Sequence, residues 1–96
     1  MLRIQRSSGE DVVLTMSGRI ELEDVVELER LLSLEPSGQS VAFDLGDITL
    51  VDREAVPFLA RSEAAGIQLR NCPAYIREWI DAERRRPLNP SEGGLR

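Results

Sequence analysis

Histidine and lysine are both absent from this 96-residue chain, and all 12 of its basic residues are arginine. Without histidine, the chain lacks the commonest general base and the commonest metal ligand. Without lysine, it can form no Schiff base and has no P-loop lysine for a nucleotide phosphate. These absences disfavour an enzyme, so we expect a non-enzymatic protein that carries no cofactor.

Other absences from the sequence further narrow the class of protein that this chain can be. A single cysteine excludes an internal disulfide. No apolar run approaches the roughly 20 residues that cross a bilayer, and the N-terminus lacks the apolar core of a secretory signal. A net charge of −5 gives no broad basic field for a phosphate backbone. We therefore expect a cytoplasmic protein that neither inserts into membranes nor binds nucleic acid.

Hydrophobic periodicity predicts the secondary structure. Apolar and polar residues alternate in four stretches, as in strands with one buried face. The spacing of apolar residues from Leu22 to Leu32 is that of an amphipathic helix. The predicted strands cover 2–6, 12–18, 40–45 and 67–70, and the predicted helices cover 21–34, 54–65 and residues from Asn71 onward. Residues 1–86 then make one domain, and the Pro/Gly-rich segment 87–96 is predicted to be a disordered tail.

The element order ββαβαβα predicts the fold class. Strands joined through helices pair in parallel through right-handed crossovers, whereas the first two strands form a hairpin. A sheet covered on both faces would have strands that are apolar almost throughout, and these strands alternate instead. The sequence therefore predicts a small α/β domain with a four-stranded mixed sheet and all three helices on one face. The other face would carry Arg3, Gln5, Thr15, Gln68 and Arg70.

The most specific pattern runs from Val41 to Val56. Val41, Phe43 and Leu45 form a one-sided strand, a short loop follows, and a helix opens at Asp52 as its N-cap. This order, in which an apolar strand ending in Asp-Leu is followed by an apolar residue and Asp before a helix, resembles the signature of the STAS domain family. That family comprises the anti-sigma-factor antagonists and the regulatory domains of sulfate transporters.

The resemblance covers residues 2–85 by element order and is specific at residue level over 41–60. It implies the same one-sided arrangement of helices on a sheet. It also implies a bacterial regulator of transcription that works by partner switching. Its partner would be an anti-sigma factor with a kinase-like fold.

Several positions depart from the family pattern. Glu54 stands where the family often has a serine that a partner kinase phosphorylates, and Ala55 replaces the usual following glycine. Pro57 stands where a small residue is common, and it is expected to delay or distort the first helical turn. No further strand is predicted near the C-terminus. Glu54 is thus a degenerate phosphosite position, and the chain is predicted not to be switched by phosphorylation there.

The resemblance implies a partner-binding surface centred on 46–58, with contributions from 18–22 and the following helix. The predicted partner-binding residues are Asp47, Thr49, Asp52, Arg53, Glu54, Val56, Pro57 and Phe58. A homo-oligomer is also compatible with the sequence. A second hypothesis is an accessory subunit of a lipid or anion transporter, bound on the cytoplasmic side.

Three further features allow a chemical interpretation and a structural one. Asp44, Asp47 and Asp52 would form a magnesium pocket if they converged; the favoured interpretation is separate roles at the surface, in a turn and as a cap. Cys72 precedes a helix and suggests a thiol enzyme as a weaker alternative, although no histidine is present to activate it. Tyr75 and Trp79, spaced i, i+4, are predicted to pack onto the domain, or to anchor an interface if exposed.

We predict that residues 87–96 are dispensable for folding. Truncation after Arg86 should leave the melting temperature nearly unchanged because the tail composition supplies no packed core. Thermal unfolding followed by circular dichroism measures this. A fall of more than a few degrees, or about 1 kcal/mol for a domain of this size, would mean that the tail packs.

Overall fold

A computed structural model describes residues 1–36 and 38–85 of the chain. Within these residues the strands are β1 (Leu2–Ser8), β2 (Val12–Ile20), β3 (Val41–Val51) and β4 (Gln68–Arg70). The helices are α1 (Leu22–Ser33), α2 (Val56–Ala64) and α3 (Ala74–Arg85), and a 3₁₀ turn, Arg53–Ala55, precedes α2. The predicted element order ββαβαβα is confirmed.

The four strands form one mixed sheet in the order β1-β2-β3-β4. β1 pairs antiparallel with β2, whereas β2 with β3 and β3 with β4 are parallel pairs. Leu14, Phe43 and Leu69 lie in one row across the last three strands. The next row contains Gln5, Thr15, Asp44 and Arg70, so apolar and polar rows point to opposite faces.

All three helices bury their apolar residues against the same face of the sheet. Leu14 and Phe43 are at most 1% exposed, and they share one core cluster with Leu28 of α1, Leu59 of α2 and Ile80 of α3. The opposite face keeps Gln5 and Gln68 exposed, in agreement with the predicted polar face. The prediction of a one-sided α/β domain is therefore confirmed, and the core is a single layer between sheet and helices.

β3 is longer than the sequence predicts. The segment 46–51, predicted to be a loop, continues the strand and pairs with β2 as far as Ile20 opposite Val51. The register shifts twice along this pairing, so Ile48 and Val51 remain buried although they are three residues apart. The loop prediction was wrong because Gly46-Asp47 has the composition of a turn.

The helix starts differ from the predictions by one to three residues. α2 begins at Val56 rather than 54, and Pro57 occupies its first turn, where a missing N–H donor costs nothing. Pro73 lies just before α3, where its carbonyl accepts the Arg77 N–H at 3.0 Å.

The predicted tail, 87–96, lies outside the described residues. No helix within 1–36 and 38–85 is long and apolar enough to cross a membrane.

Arg77 joins α3 to α2 through a bidentate ion pair with Glu63. Its guanidinium donates to both carboxylate oxygens of Glu63, at 2.8 and 2.6 Å, and to Asp81 at 3.2 Å. Arg84 adds a second cation 3.0 Å from Glu63. The hydrogen bond from Arg77 lowers the pKa of Glu63 below its usual value near 4.5.

This ion pair should make stability depend on pH. Because the pKa of Glu63 is lower in the folded state, its contribution is present above about pH 4.5 and is lost as pH falls through the folded pKa. Glu63→Gln should therefore lower the melting temperature at pH 7 by about 3–6 °C and much less near pH 3. Calorimetry at both pH values measures the difference. The matched control is Glu29→Gln, whose exposed pair with Arg61 is 3.3 Å long, and equal losses in both variants would contradict the prediction.

Candidate functional site

The 3₁₀ turn after β3 presents two charged side chains to solvent. The Asp52 N–H donates to the Ile20 carbonyl at 2.8 Å, which holds the end of β3 beside β2. Ala55 is fully buried and anchors the turn in the core, while Arg53 and Glu54 are exposed. Glu54 forms no hydrogen bond or ion pair with any of the described residues. Among the described residues it is therefore a carboxylate without a charged side-chain partner, at the positive end of the dipole of α2.

Asp52 does not cap the helix with its side chain, so that prediction was wrong. The turn closes through backbone groups, with the Ala55 N–H donating to the Asp52 carbonyl at 2.9 Å. The Asp52 carboxylate instead accepts hydrogen bonds from Arg19 Nη2 at 2.9 Å and Nε at 3.1 Å. This hydrogen bond raises the pKa of Arg19. Asp52 thus ties the turn to β2, an arrangement that local sequence could not indicate.

The aromatic residues of α3 support the turn from the other side. The Tyr75 hydroxyl donates to the Thr49 carbonyl at 3.1 Å, and its ring meets the Trp79 ring edge-on with centroids 5.7 Å apart. The Arg53 guanidinium carbon lies 5.8 Å from the centre of the Trp79 ring, within reach of a cation–π interaction. Both aromatics are half-buried and pack against the core, as predicted.

A groove of about 610 Å³ separates the turn and the start of α2 from α3. We call it the α2–α3 groove. Its lining residues are Arg53, Glu54, Val56, Pro57, Trp79, Ala82 and Glu83. The first four were predicted as partner-binding residues. The other three were missed, although Ala82 and Glu83 follow Trp79 at i+3 and i+4 and so share its helix face.

The predicted partner-binding residues differ in their exposure to solvent. Asp47, Thr49, Arg53 and Glu54 are exposed, and Asp52 and Pro57 are half-buried. Val56 and Phe58 are 4% and 3% exposed, so they support this surface from beneath. Phe58 stacks on Phe43 in the core with centroids 6.0 Å apart, whereas Val56 reaches the floor of the groove.

The three aspartates considered for a metal pocket have different surroundings. Asp44 accepts hydrogen bonds from the Gly46 N–H at 3.0 Å and from Asn71 Nδ2 at 3.2 Å. Asp52 lies eight residues further along an extended chain, a separation of roughly 20–25 Å. Within the described part of the chain, no group of three histidine, cysteine or acidic residues could hold a metal ion. Two of the separate roles predicted for these carboxylates were wrong, because Asp47 lies within β3 rather than in a turn and Asp52 pairs with Arg19 rather than capping the helix.

Cys72 has an environment that disfavours thiol chemistry. The residue is half-buried beside the start of α3, with its Sγ 3.6 Å from the Pro73 carbonyl oxygen. Burial raises the pKa of the thiol above its usual value, which reduces the reactive thiolate at neutral pH.

Comparison with known proteins adds no assignment. No protein-family model matches the chain, and a search of curated proteins finds no match.

The Arg19–Asp52 pair gives a direct test of the corrected role of Asp52. In a double-mutant cycle of Arg19→Ala and Asp52→Ala, we expect a small favourable coupling energy, so that the loss in the double variant is less than the sum of the two single losses. Urea unfolding of the four proteins measures it. If Asp52 acted as a side-chain cap, its replacement would lower the free energy of unfolding by about 1 kcal/mol whether or not Arg19 were present. The losses of stability in the two single variants would then add.

Proposed function

We propose that this protein is a non-enzymatic regulatory module of the STAS type that binds a protein partner in the cytoplasm. The partner-binding surface comprises the 3₁₀ turn, the start of α2 and the adjacent α2–α3 groove. By resemblance, the partner is an anti-sigma factor with a kinase-like fold, or a component of a similar partner-switching pathway. The observation that carries the proposal is Glu54, an exposed carboxylate without a charged partner among the described residues, at the position of the family's phosphoserine.

The fold and the local chemistry support this proposal. The one-sided sheet agrees with the arrangement that the resemblance implies. The raised pKa of Cys72 and the separate roles of the aspartates favour binding over catalysis. An exposed carboxylate without a charged side-chain partner among the described residues is well suited to selecting a partner, because electrostatic complementarity contributes strongly to specificity.

Glu54 gives this surface a permanent negative charge. A phosphoserine would carry about −1.5 to −2 charges and three strong acceptor oxygens, whereas a carboxylate carries one charge. Glu54 has no hydroxyl that a kinase could phosphorylate. We therefore infer that partner binding here is not reversed by phosphorylation at this position.

The test is charge reversal at Glu54. Glu54→Lys should lower the free energy of unfolding by about 0.3–1 kcal/mol, because a cation opposes the helix dipole. Partner affinity should fall by several kcal/mol, because the new cation faces a surface that complements a carboxylate. Calorimetric titration against the partner recovered from the native organism measures affinity, and Glu54→Gln should give an intermediate loss.

Glu10→Lys is the matched control. Glu10 is exposed in the turn before β2, at the opposite end of that strand from the Ile20–Asp52 contact, and the substitution makes the same charge change. Equal affinities of the Glu54→Lys and Glu10→Lys variants would remove the turn from the interface. Recovery of membrane-bound ATPase subunits would instead favour the transporter-subunit hypothesis.

A further inference from the structure

The α2–α3 groove combines an aromatic ring, an apolar floor and carboxylates. Trp79 forms one wall, Pro57 and Ala82 supply apolar surface, and Glu54 supplies a carboxylate without a charged partner among the described residues, while Glu83 also lines the groove. A groove of about 610 Å³ falls in the range that encloses small molecules or a few side chains. Apolar surface next to carboxylates suits a long cationic side chain, whose stem is apolar and whose end is charged.

The Arg53 guanidinium already lies over the Trp79 ring. Its guanidinium carbon lies 5.8 Å from the Trp79 ring centre, and it forms no ion pair with any other described residue. The contact is therefore a cation–π interaction, which is weak at an exposed site. Because Arg53 lies on the exposed 3₁₀ turn, a cation from another molecule can compete with it for the ring.

We propose that the α2–α3 groove binds an arginine or lysine side chain of the partner protein, carried on an extended segment with apolar neighbours. The incoming cation replaces Arg53 over Trp79 and approaches Glu54, while its stem covers Pro57 and Ala82. Arginine is expected to bind more tightly than lysine because a planar guanidinium can stack on the ring and pair with a carboxylate. This inference rests on the proposed function only in taking the occupant to be part of a protein partner.

Trp79 is the single tryptophan of the chain, so its fluorescence reports directly on the groove. The probe is a blocked hexapeptide with two arginines among leucine and alanine residues, titrated into the full chain. We expect a saturable change in Trp79 emission. A peptide with glutamine in place of both arginines should bind at least about fivefold more weakly.

Variants of the chain identify the groups that recognise the cation. Glu54→Gln should weaken binding of the arginine peptide about threefold and Glu54→Lys about tenfold, whereas Glu10→Lys leaves it unchanged. Arg53→Gln should strengthen binding, because it removes the competing cation. Circular dichroism of each variant establishes that it is folded before titration.

Three results would overturn this inference. They are equal affinity for the arginine and glutamine peptides, no change in Trp79 emission, and emission that changes with protein concentration alone, which would assign the groove to a second copy. The proposed function has a separate readout. If Glu54→Lys abolishes binding of the native partner while the arginine peptide leaves Trp79 unaffected, the groove assignment fails and the partner-binding surface stands.

Discussion

The long parallel pairing of β2 with β3 is the constraint on which the rest of the structure depends. It extends from Val12 opposite Val41 to Ile20 opposite Val51, and both strands bury apolar residues on the helical face. At its far end, the hydrogen bond between Asp52 and Ile20 determines where the chain leaves the sheet. The position of Glu54 follows from that exit, because the 3₁₀ turn begins one residue after Asp52.

Gly18 lies beside the second register shift of this pairing. Its φ of 96° lies in the left-handed region that favours glycine, and a Cβ there would collide with the Met1 carbonyl oxygen. Gly18 and Arg19 pair with Ile48 and Leu50, so the extra residue at this shift is Thr49 of β3. This extra residue allows Ile48 and Val51 to share the core face despite their odd spacing. Beyond it, the Arg19 side chain pairs with Asp52.

α3 connects stability to the candidate binding surface. Its Arg77 ion pair attaches it to α2, and its aromatic residues contact β3 and the 3₁₀ turn. Contacts outside the α2–α3 groove, from Arg77 to Glu63 and from Tyr75 to Thr49, therefore hold α3 in place beside α2 and β3. A surface held in this way loses little conformational entropy when a partner binds, which favours recognition by a preformed site.

The sequence by itself determined the element order, the single buried face of the sheet and the amphipathic helices. Alternation at Val12, Leu14 and Met16 and helical spacing at Val25 and Leu28 are local signals, because burial repeats with the period of each element. Tertiary structure alone decided the extension of β3 through 46–51, because the Gly-Asp composition favours a turn until β2 pairs with it. It also directed Asp52 to Arg19, 33 residues away in the chain, and brought Glu54 and Trp79 to one groove. Contacts between distant residues depend on how the elements pack, and no local period encodes them.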